Sequence, residues 1–212
     1  AVHTARLNAC MHWQKITLVG VGLLGGSLGL AIRQRGLSRQ VHGFVRRTGS
    51  IAECEKCGAV HRATTDLSSA VENADLVILC TPIAQMRALT ELMRPALRRE
   101  CLVTDVGSVK TSVVQELEPL VATAGAHFIG SHPMAGAEKM GVSAARADLF
   151  EHAVCVVTPT PKSPAKSVRR LEEFWRAVGA RTIRLTPELH DEFVSRSSHL
   201  PHVVAAALTN AS

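Results

Sequence analysis

Three glycines between an apolar run and a helical segment most strongly constrain the fold that this chain can adopt. Residues 16–20 read ITLVG, a short β-branched run typical of a buried parallel strand. Gly20, Gly22 and Gly25 then form the pattern G-x-G-x-x-G at the start of a segment with helical spacing. In such a turn the first glycine permits tight bending, the second lets backbone approach a pyrophosphate, and the third lets helix and strand pack closely. The stretch therefore predicts a dinucleotide-binding turn, with a ligand-free glycine-rich turn as the alternative.

Short apolar runs alternate with amphipathic segments as far as Leu185. This rhythm is typical of βαβ units, so we predict an α/β fold with a doubly wound, mostly parallel Rossmann-type sheet. After Leu185 the pattern is helical only, and it stops inside an apolar helix. We therefore predict an N-terminal extension over residues 1–15 and a dinucleotide-binding domain over residues 16–186. Residues 187–212 would be the truncated start of a second, all-helical domain.

Composition argues against several other classes of protein. The six cysteines form no disulfide framework, which favours a reducing cytoplasm, and the lone CxxC of Cys54 and Cys57 lacks a second pair at zinc spacing. The net charge of +6 comes from scattered basic residues, and no tract is typical of nucleic-acid binding. No segment resembles a signal peptide or a membrane span. We therefore predict a cytoplasmic protein without nucleic-acid, membrane or metal partners. Its positive charge would attract anionic small molecules, or would serve only to keep the protein soluble.

The segment after the second predicted strand bears on the choice of cofactor. An NAD site carries an acidic residue about 20 residues beyond the glycine pattern, where it binds the ribose 2′-hydroxyl. Here the chain reads GFVRRTGS, with Arg46, Arg47 and Thr48 at that place. Guanidinium groups bind a phosphate, which an acid would repel. We therefore predict a preference for NADP over NAD. The alternative is that both arginines are solvated and that either cofactor is accepted.

Polar residues follow two further predicted strands, in the segments CTPIAQM and DVGSVK. Ligands bind outside the carboxyl ends of the strands in open parallel sheets. We therefore expect these residues, with Ser108 and Lys110 among them, to surround the nicotinamide. Asp105 and Ser108 could instead serve only as a turn residue and a helix cap. The predicted cofactor-binding residues are Gly20, Gly22, Leu23, Leu24, Gly25, Arg46, Arg47, Thr48, Thr81, Pro82, Asp105 and Gly107.

A histidine follows the next predicted strand, in a segment that looks irregular. Residues 129–141 read IGSHPMAGAEKMG, and Pro133 biases His132 away from helix. An imidazole at the end of a strand can exchange protons near neutral pH, as a catalytic base does. A structural histidine in a loop would fit the same residues. The local sequence leaves both interpretations open.

Four segments taken together resemble one family of enzymes. GVGLLGGSLGLAI, DVGSVK, GSHPMAGAEKMG and HDEFVSRSSHLPH are similar to successive signatures of the prephenate and arogenate dehydrogenases, and the resemblance runs from about Ile16 to the end. It implies an oxidative decarboxylation in tyrosine biosynthesis, in which a dianionic substrate gives a hydride to NAD(P) and loses carbon dioxide. It also implies a homodimer formed through the helical domain.

The resemblance implies roles for individual residues as well. His132 would accept the proton of the ring hydroxyl, and Ser108 would hydrogen-bond both His132 and that hydroxyl. The substrate-side residues would be Ser108, His132, Glu138, His190 and His202, with His199 a competitor for the role of His202. Two departures stand out: the family has an acid where this chain has arginine, and its helical domain continues beyond residue 212 with a substrate-binding arginine. The alternatives are an arogenate dehydrogenase, another NAD(P)-dependent reductase of the same fold, and a nucleotide sensor without activity.

Overall fold

The computed structural model describes residues 13–137 and 139–196. The strands in these ranges are β1 (Trp13–Val19), β2 (Ser38–Phe44), β3 (Arg62–Thr64), β4 (Leu76–Leu79), β5 (Leu102–Asp105), β6 (His127–Phe128), β7 (Gly130–Pro133), β8 (Val154–Thr158) and β9 (Arg181–Arg184). The α-helices are α1 (Leu23–Gln34), α2 (Gly49–Lys56), α3 (Leu67–Val71), α4 (Ile83–Met93), α5 (Thr111–Ala122), α6 (Ala165–Ala177) and α7 (Pro187–Val194).

Six parallel strands form the main sheet in the order β3-β2-β1-β4-β5-β6. The strand order reverses between β1 and β4, and this reversal makes a crevice at the carboxyl ends of the strands. The predicted doubly wound, mostly parallel α/β fold is confirmed. No helix in residues 13–137 and 139–196 is long and apolar enough to cross a membrane.

Two apolar clusters cover the opposite faces of the main sheet. On β4, Leu76 and Ile78 belong to the cluster that packs with α1 and α6, whereas Val77 and Leu79 belong to the cluster that packs with α4 and α5. This alternation follows from the pleat of a strand, which points successive side chains to opposite faces. Because helices cover both faces, the central strands are continuous apolar runs, and this is the pattern by which the sequence revealed them.

The first strand begins at Trp13, three residues before the predicted start of the domain at residue 16. Trp13 pairs with β2 and is only 2% exposed. Its ring packs edge-on against Phe174, with centroids 6.4 Å apart, and the Arg170 guanidinium lies 4.1 Å from its centroid. Residues 13–15 are therefore part of the folded domain. The hydrophobic pattern missed them because two polar residues follow the tryptophan.

A second sheet carries a segment that the sequence predicted to be irregular. Strand β7 pairs antiparallel with β8, and β8 pairs parallel with β9. The prediction of an irregular segment is therefore wrong for residues 130–133. Gly130 and Pro133 concealed this strand, because both residue types are depleted in strands. The pairing fixes Ser131 and His132 on opposite faces, so that Ser131 is buried whereas His132 is half-buried.

Candidate active site

The glycine-rich turn joins β1 to α1 at the carboxyl edge of the main sheet. Gly20 has a φ of +98°, a conformation that favours glycine. A Cβ atom on Gly25 would lie 2.0 Å from the Gly20 carbonyl oxygen, so helix and strand meet too closely for any side chain. A Cβ on Gly22 would meet nothing within 4 Å, so this position faces open space. The turn and its packing thus require Gly20 and Gly25, while Gly22 keeps the backbone accessible.

The first turn of α1 is open to an anion. Its N-cap, Gly22, has no side chain that could cap the first N–H groups, and the first turn has no acidic residue. The N–H groups of Leu23 and Leu24 have no partner inside the helix, since a helix leaves its first donors unpaired. The helix dipole adds positive potential at the same place. These features fit the pyrophosphate of a dinucleotide.

A Gly25→Ala variant is expected to lose stability, because its methyl group would collide with backbone that cannot move without shifting β1 or α1. The expected loss is about 1–3 kcal/mol in the free energy of unfolding, as for an overpacked core. Gly22→Ala is the matched control for stability, since its methyl group has room. It should keep the unfolding free energy and weaken dinucleotide binding instead. Urea unfolding and cofactor titration measure both effects, and a Gly25→Ala variant as stable as the wild type would contradict the packing argument.

The residues predicted to bind the ribose phosphate follow β2 at the same edge of the sheet. Arg46, Arg47 and Thr48 are all exposed. Thr48 is the N-cap of α2, but its side chain makes no capping hydrogen bond. Neither arginine forms an ion pair with any residue that the structure describes. Both guanidinium groups are therefore available to an anionic ligand.

Asp105 and Lys110, predicted to lie around the nicotinamide, are inside the protein. Both side chains are 0% exposed, and Lys110 Nζ donates a short hydrogen bond to Asp105 Oδ2. Lys110 Nζ also donates to the Ser131 carbonyl at 3.0 Å, and Asp105 Oδ2 accepts from Gly107 N at 2.8 Å. Burial lowers the pKa of Lys110, and the attraction of Asp105 opposes that change. The two side chains thus join β5 to β7, and the place of Asp105 in the cofactor site stays a prediction.

The other residues predicted at these strand ends lie closer to the surface. Pro82 and Ser108 are exposed, and Gly107 is buried in the turn after β5. Thr81 packs beside the glycine turn, where a Cβ on Gly20 would lie 2.9 Å from its methyl carbon. The Thr81 hydroxyl oxygen is buried and has no hydrogen-bond partner among the described residues. A polar ligand atom at the glycine turn would satisfy it.

His132 is hydrogen-bonded to His190 of α7. Its Nδ1 lies 2.9 Å from His190 Nε2, and the two rings meet edge to face with centroids 5.1 Å apart. His190 Nδ1 in turn lies 2.7 Å from Asp191 Oδ1. Asp191 accepts hydrogen bonds from the backbone N–H groups of Lys110 at 2.8 Å and Thr111 at 2.9 Å. These contacts dock α7 on both β7 and the start of α5.

The surroundings of these groups favour a neutral His190 and an ionised Asp191. His190 is 0% exposed, and burial lowers its pKa even though the hydrogen bond to Asp191 opposes that change. Burial alone would raise the pKa of Asp191. Hydrogen bonds from Thr111, Lys110 and His190 outweigh burial and hold that pKa below its usual value. His132 therefore has a neutral imidazole and then a carboxylate behind it, while its own ring is only half-buried.

Two of the predicted substrate residues, Glu138 and His202, lie outside the described residues, as does His199. His190 was predicted to line the substrate side, but it is fully buried behind His132. Asp191 escaped prediction although it follows His190 directly, since nothing local indicates that it reaches α5.

The two cysteines of the CxxC segment differ in exposure. Cys54 is buried, and burial raises the pKa of its thiol to about 11. Cys57 is exposed on the same helix turn. Within the part of the chain that the structure describes, no three histidine, cysteine or acidic side chains come together as a metal site would require.

The sequence of this chain is similar to those of known proteins over most of its length. Residues 28–184 match the family model "Prephenate dehydrogenase, nucleotide-binding domain". A prephenate dehydrogenase of Bacillus subtilis is 36% identical over 196 residues, which are 92% of this chain and 53% of that protein. The chain thus spans about half the length of this curated relative.

Two solved structures are similar in both sequence and fold. The prephenate dehydrogenase of Aquifex aeolicus, in complex with hydroxyphenyl propionate and NAD+, is 33% identical with a TM-score of 0.87, over 93% of this chain and 68% of that one. The arogenate dehydrogenase of Synechocystis is 35% identical with a TM-score of 0.85, over 93% of this chain and 69% of that one. With the glycine turn, the half-buried histidine and the family match in agreement, this chain belongs to the prephenate dehydrogenase family and contains its nucleotide-binding domain.

Proposed function

We propose that this protein is an NAD(P)-dependent prephenate dehydrogenase, which converts prephenate to 4-hydroxyphenylpyruvate and carbon dioxide. The observation that carries the proposal is the half-buried His132 with its hydrogen bond to His190, in a chain of this family. A bound nicotinamide would supply the hydride acceptor. Gly22, the first turn of α1 and Thr81 are the groups that would hold the dinucleotide.

In this proposal His132 carries the proton chemistry. Hydride leaves the ring carbon that bears the hydroxyl group, and this loss builds positive character on that carbon. His132 accepts the hydroxyl proton at the same time, so that a carbonyl group forms and the transition state is stabilised. Loss of carbon dioxide then returns an electron pair to the ring, which becomes aromatic as a phenolate. The phenolate oxygen takes a proton back and gives the phenol of the product.

Turnover by the full-length protein tests this proposal. The protein is mixed with prephenate and with NADP or NAD, and the absorbance of the reduced nicotinamide is followed. Release of one carbon dioxide for each reduced cofactor is the expected result. Cofactor binding without turnover of prephenate or arogenate would instead favour a nucleotide sensor.

Arogenate is the second candidate substrate, because the Synechocystis arogenate dehydrogenase resembles this chain as closely as the prephenate dehydrogenases do. The two substrates differ only in a keto or an amino group on the side chain. The ratio of kcat/KM for the two substrates, measured with the same preparation, decides between them. A higher value for arogenate would make the protein an arogenate dehydrogenase of the same mechanism.

We also propose that the enzyme prefers NADP, through Arg46, Arg47 and Thr48. An Arg46→Ala or Arg47→Ala variant is expected to raise the KM for NADP about 10-fold, because each variant loses a charge-assisted hydrogen bond to the ribose phosphate. The KM for NAD should stay unchanged, since NAD lacks that phosphate. Arg181→Ala, which removes an exposed arginine of β9, is the matched control. A wild-type enzyme that uses NAD as well as NADP, or better, would contradict the preference.

We further propose that Pro187 begins the helical domain that the sequence predicts, and that this domain forms a homodimer in the cytoplasm. The support for this proposal is that the pattern after Leu185 is helical only, and that α7 leaves the apolar Leu189 38% exposed.

A further inference from the structure

The hydrogen bonds behind His132 have a direction that the chemistry of Asp191 determines. An ionised carboxylate accepts hydrogen bonds and has no proton to donate. Asp191 accepts from the N–H groups of Lys110 and Thr111, and its Oδ1 also lies 2.7 Å from His190 Nδ1. His190 must therefore carry its proton on Nδ1 and donate it to Asp191.

The same reasoning extends to His132. His190 is fully buried, so the neutral ring is favoured, and a neutral ring with its proton on Nδ1 has an acceptor at Nε2. This Nε2 lies 2.9 Å from His132 Nδ1. His132 Nδ1 therefore carries a proton and donates it, which leaves the lone pair of neutral His132 on Nε2.

We propose that His190 and Asp191 are positioning residues, which hold His132 in the tautomer whose Nε2 accepts the proton of the substrate. The inference rests on the proposed function, since it gives His132 the role of the base. When His132 gains a proton, the Asp191 carboxylate stabilises the imidazolium through the intervening ring. The other charged groups that face His190 are Asp105 on β5 and Lys110 before α5, and they are paired with each other.

This arrangement links the base to the docking of α7. Asp191 can orient His190 only while its carboxylate is held by the first N–H groups of α5. These donors have no partner within their own helix, and the helix dipole favours a negative charge beside them. The nucleotide-binding domain therefore holds the carboxylate, and the carboxylate sets the tautomer of a histidine on β7.

A purely structural role for Asp191 is the competing explanation, and an Asp191→Asn variant separates the two. An asparagine has one oxygen and one NH2 group where the aspartate has two acceptors. If its oxygen takes the place of Oδ1, it accepts from Lys110 N and His190 Nδ1, and its NH2 group faces Thr111 N, which loses its acceptor. The tautomer is then kept, but the negative charge that stabilises the His132 imidazolium is gone. In the opposite orientation His190 has to accept at Nδ1, its proton moves to Nε2, and His132 loses the lone pair on its outer nitrogen. Both orientations weaken the base, and a purely structural role for Asp191 predicts neither effect.

The first measurement is made on the wild type and needs no variant. In the full-length protein labelled with 15N, the chemical shifts of the His132 ring nitrogens report which nitrogen carries the proton. The expected result is a proton on Nδ1 in the neutral ring, and a proton on Nε2 would overturn the inference. Because this reading does not depend on turnover, it stands even if the proposed function fails.

Kinetics of four variants give the second measurement. Asp191→Asn and His190→Leu are expected to lower kcat about 100-fold, with the KM for the cofactor unchanged. His190→Gln should retain more activity than His190→Leu, since the glutamine oxygen can replace Nε2 as the acceptor. Glu192→Gln is the matched control, because it removes the exposed carboxylate of the next residue. It should behave as the wild type does.

The pH profile and the double variant separate positioning from docking. Loss of the Asp191 charge makes the His132 imidazolium less stable, so the acid limb of kcat/KM should move to lower pH in Asp191→Asn. The double variant Asp191→Asn/His190→Leu should be no slower than the worse single variant, because Asp191 acts through His190. The inference would be overturned if the rate losses of the two single variants multiplied in the double variant and the acid limb of kcat/KM stayed at the same pH in Asp191→Asn. A wild type without turnover, or a fully active His132→Asn variant, would instead overturn the proposed function.

Discussion

Replacement of His132 by asparagine is expected to lower kcat by about 10²–10⁴-fold, which is the contribution of a general base. The asparagine NH2 group lies where Nδ1 of the imidazole lies, so the hydrogen bond to His190 can be kept. Only the proton acceptor is removed. Cofactor affinity should stay within about two-fold of the wild type, because the glycine turn is untouched. Steady-state turnover and a cofactor titration measure the two effects separately.

The pH dependence supplies the control for this prediction. A neutral imidazole is required, so kcat/KM of the wild type should rise with pH as His132 loses its proton. The residual activity of His132→Asn should lack this limb. His127→Asn is the matched variant, since His127 begins β6, at the amino ends of the parallel strands, and contacts Glu100. Wild-type turnover in His132→Asn would remove His132 from the mechanism.

Local patterns were sufficient where a structure depends on neighbours in the sequence. The glycine turn needs only the six residues from Gly20 to Gly25 and the strand before them, and the structure has it as predicted. The alternation of buried strands with amphipathic helices likewise predicted the main sheet. Both features follow from backbone geometry and from the burial of short apolar runs.

Long-range contacts explain what the sequence did not predict. Strand β7 is stabilised by its pairing with β8, more than 20 residues further along the chain, and this pairing overrides the poor strand propensity of Gly130 and Pro133. Asp191 meets Lys110 across a separation of 81 residues. Asp105 looked like a ligand-binding residue because its place at the end of a strand is correct. Its burial depends on a distant segment, because Ser131 on β7 covers it and donates a backbone hydrogen bond to its carboxylate.

Lys110→Met is expected to lower the free energy of unfolding by about 3–5 kcal/mol, because it leaves the buried Asp105 carboxylate without its cation. Burial of both side chains is complete, so water cannot replace the lost partner. The Ser131 carbonyl loses a donor as well. Asp105 keeps hydrogen bonds from Gly107 N and Ser131 N, which places the expected loss toward the lower end of this range. Urea unfolding at neutral pH measures the loss.

Two control variants show whether the buried pair is responsible. Arg87→Met breaks an exposed ion pair with Glu91 and should change the unfolding free energy by less than about 1 kcal/mol. Lys110→Met/Asp105→Asn should be more stable than Lys110→Met, because a neutral amide needs no cation and its one oxygen can still accept from Gly107 N or Ser131 N. If the double variant were less stable by the sum of the single effects, the two side chains would not be coupled. Since Ser131 precedes His132 on β7, the lysine that stabilises the fold also fixes the strand that carries the proposed base.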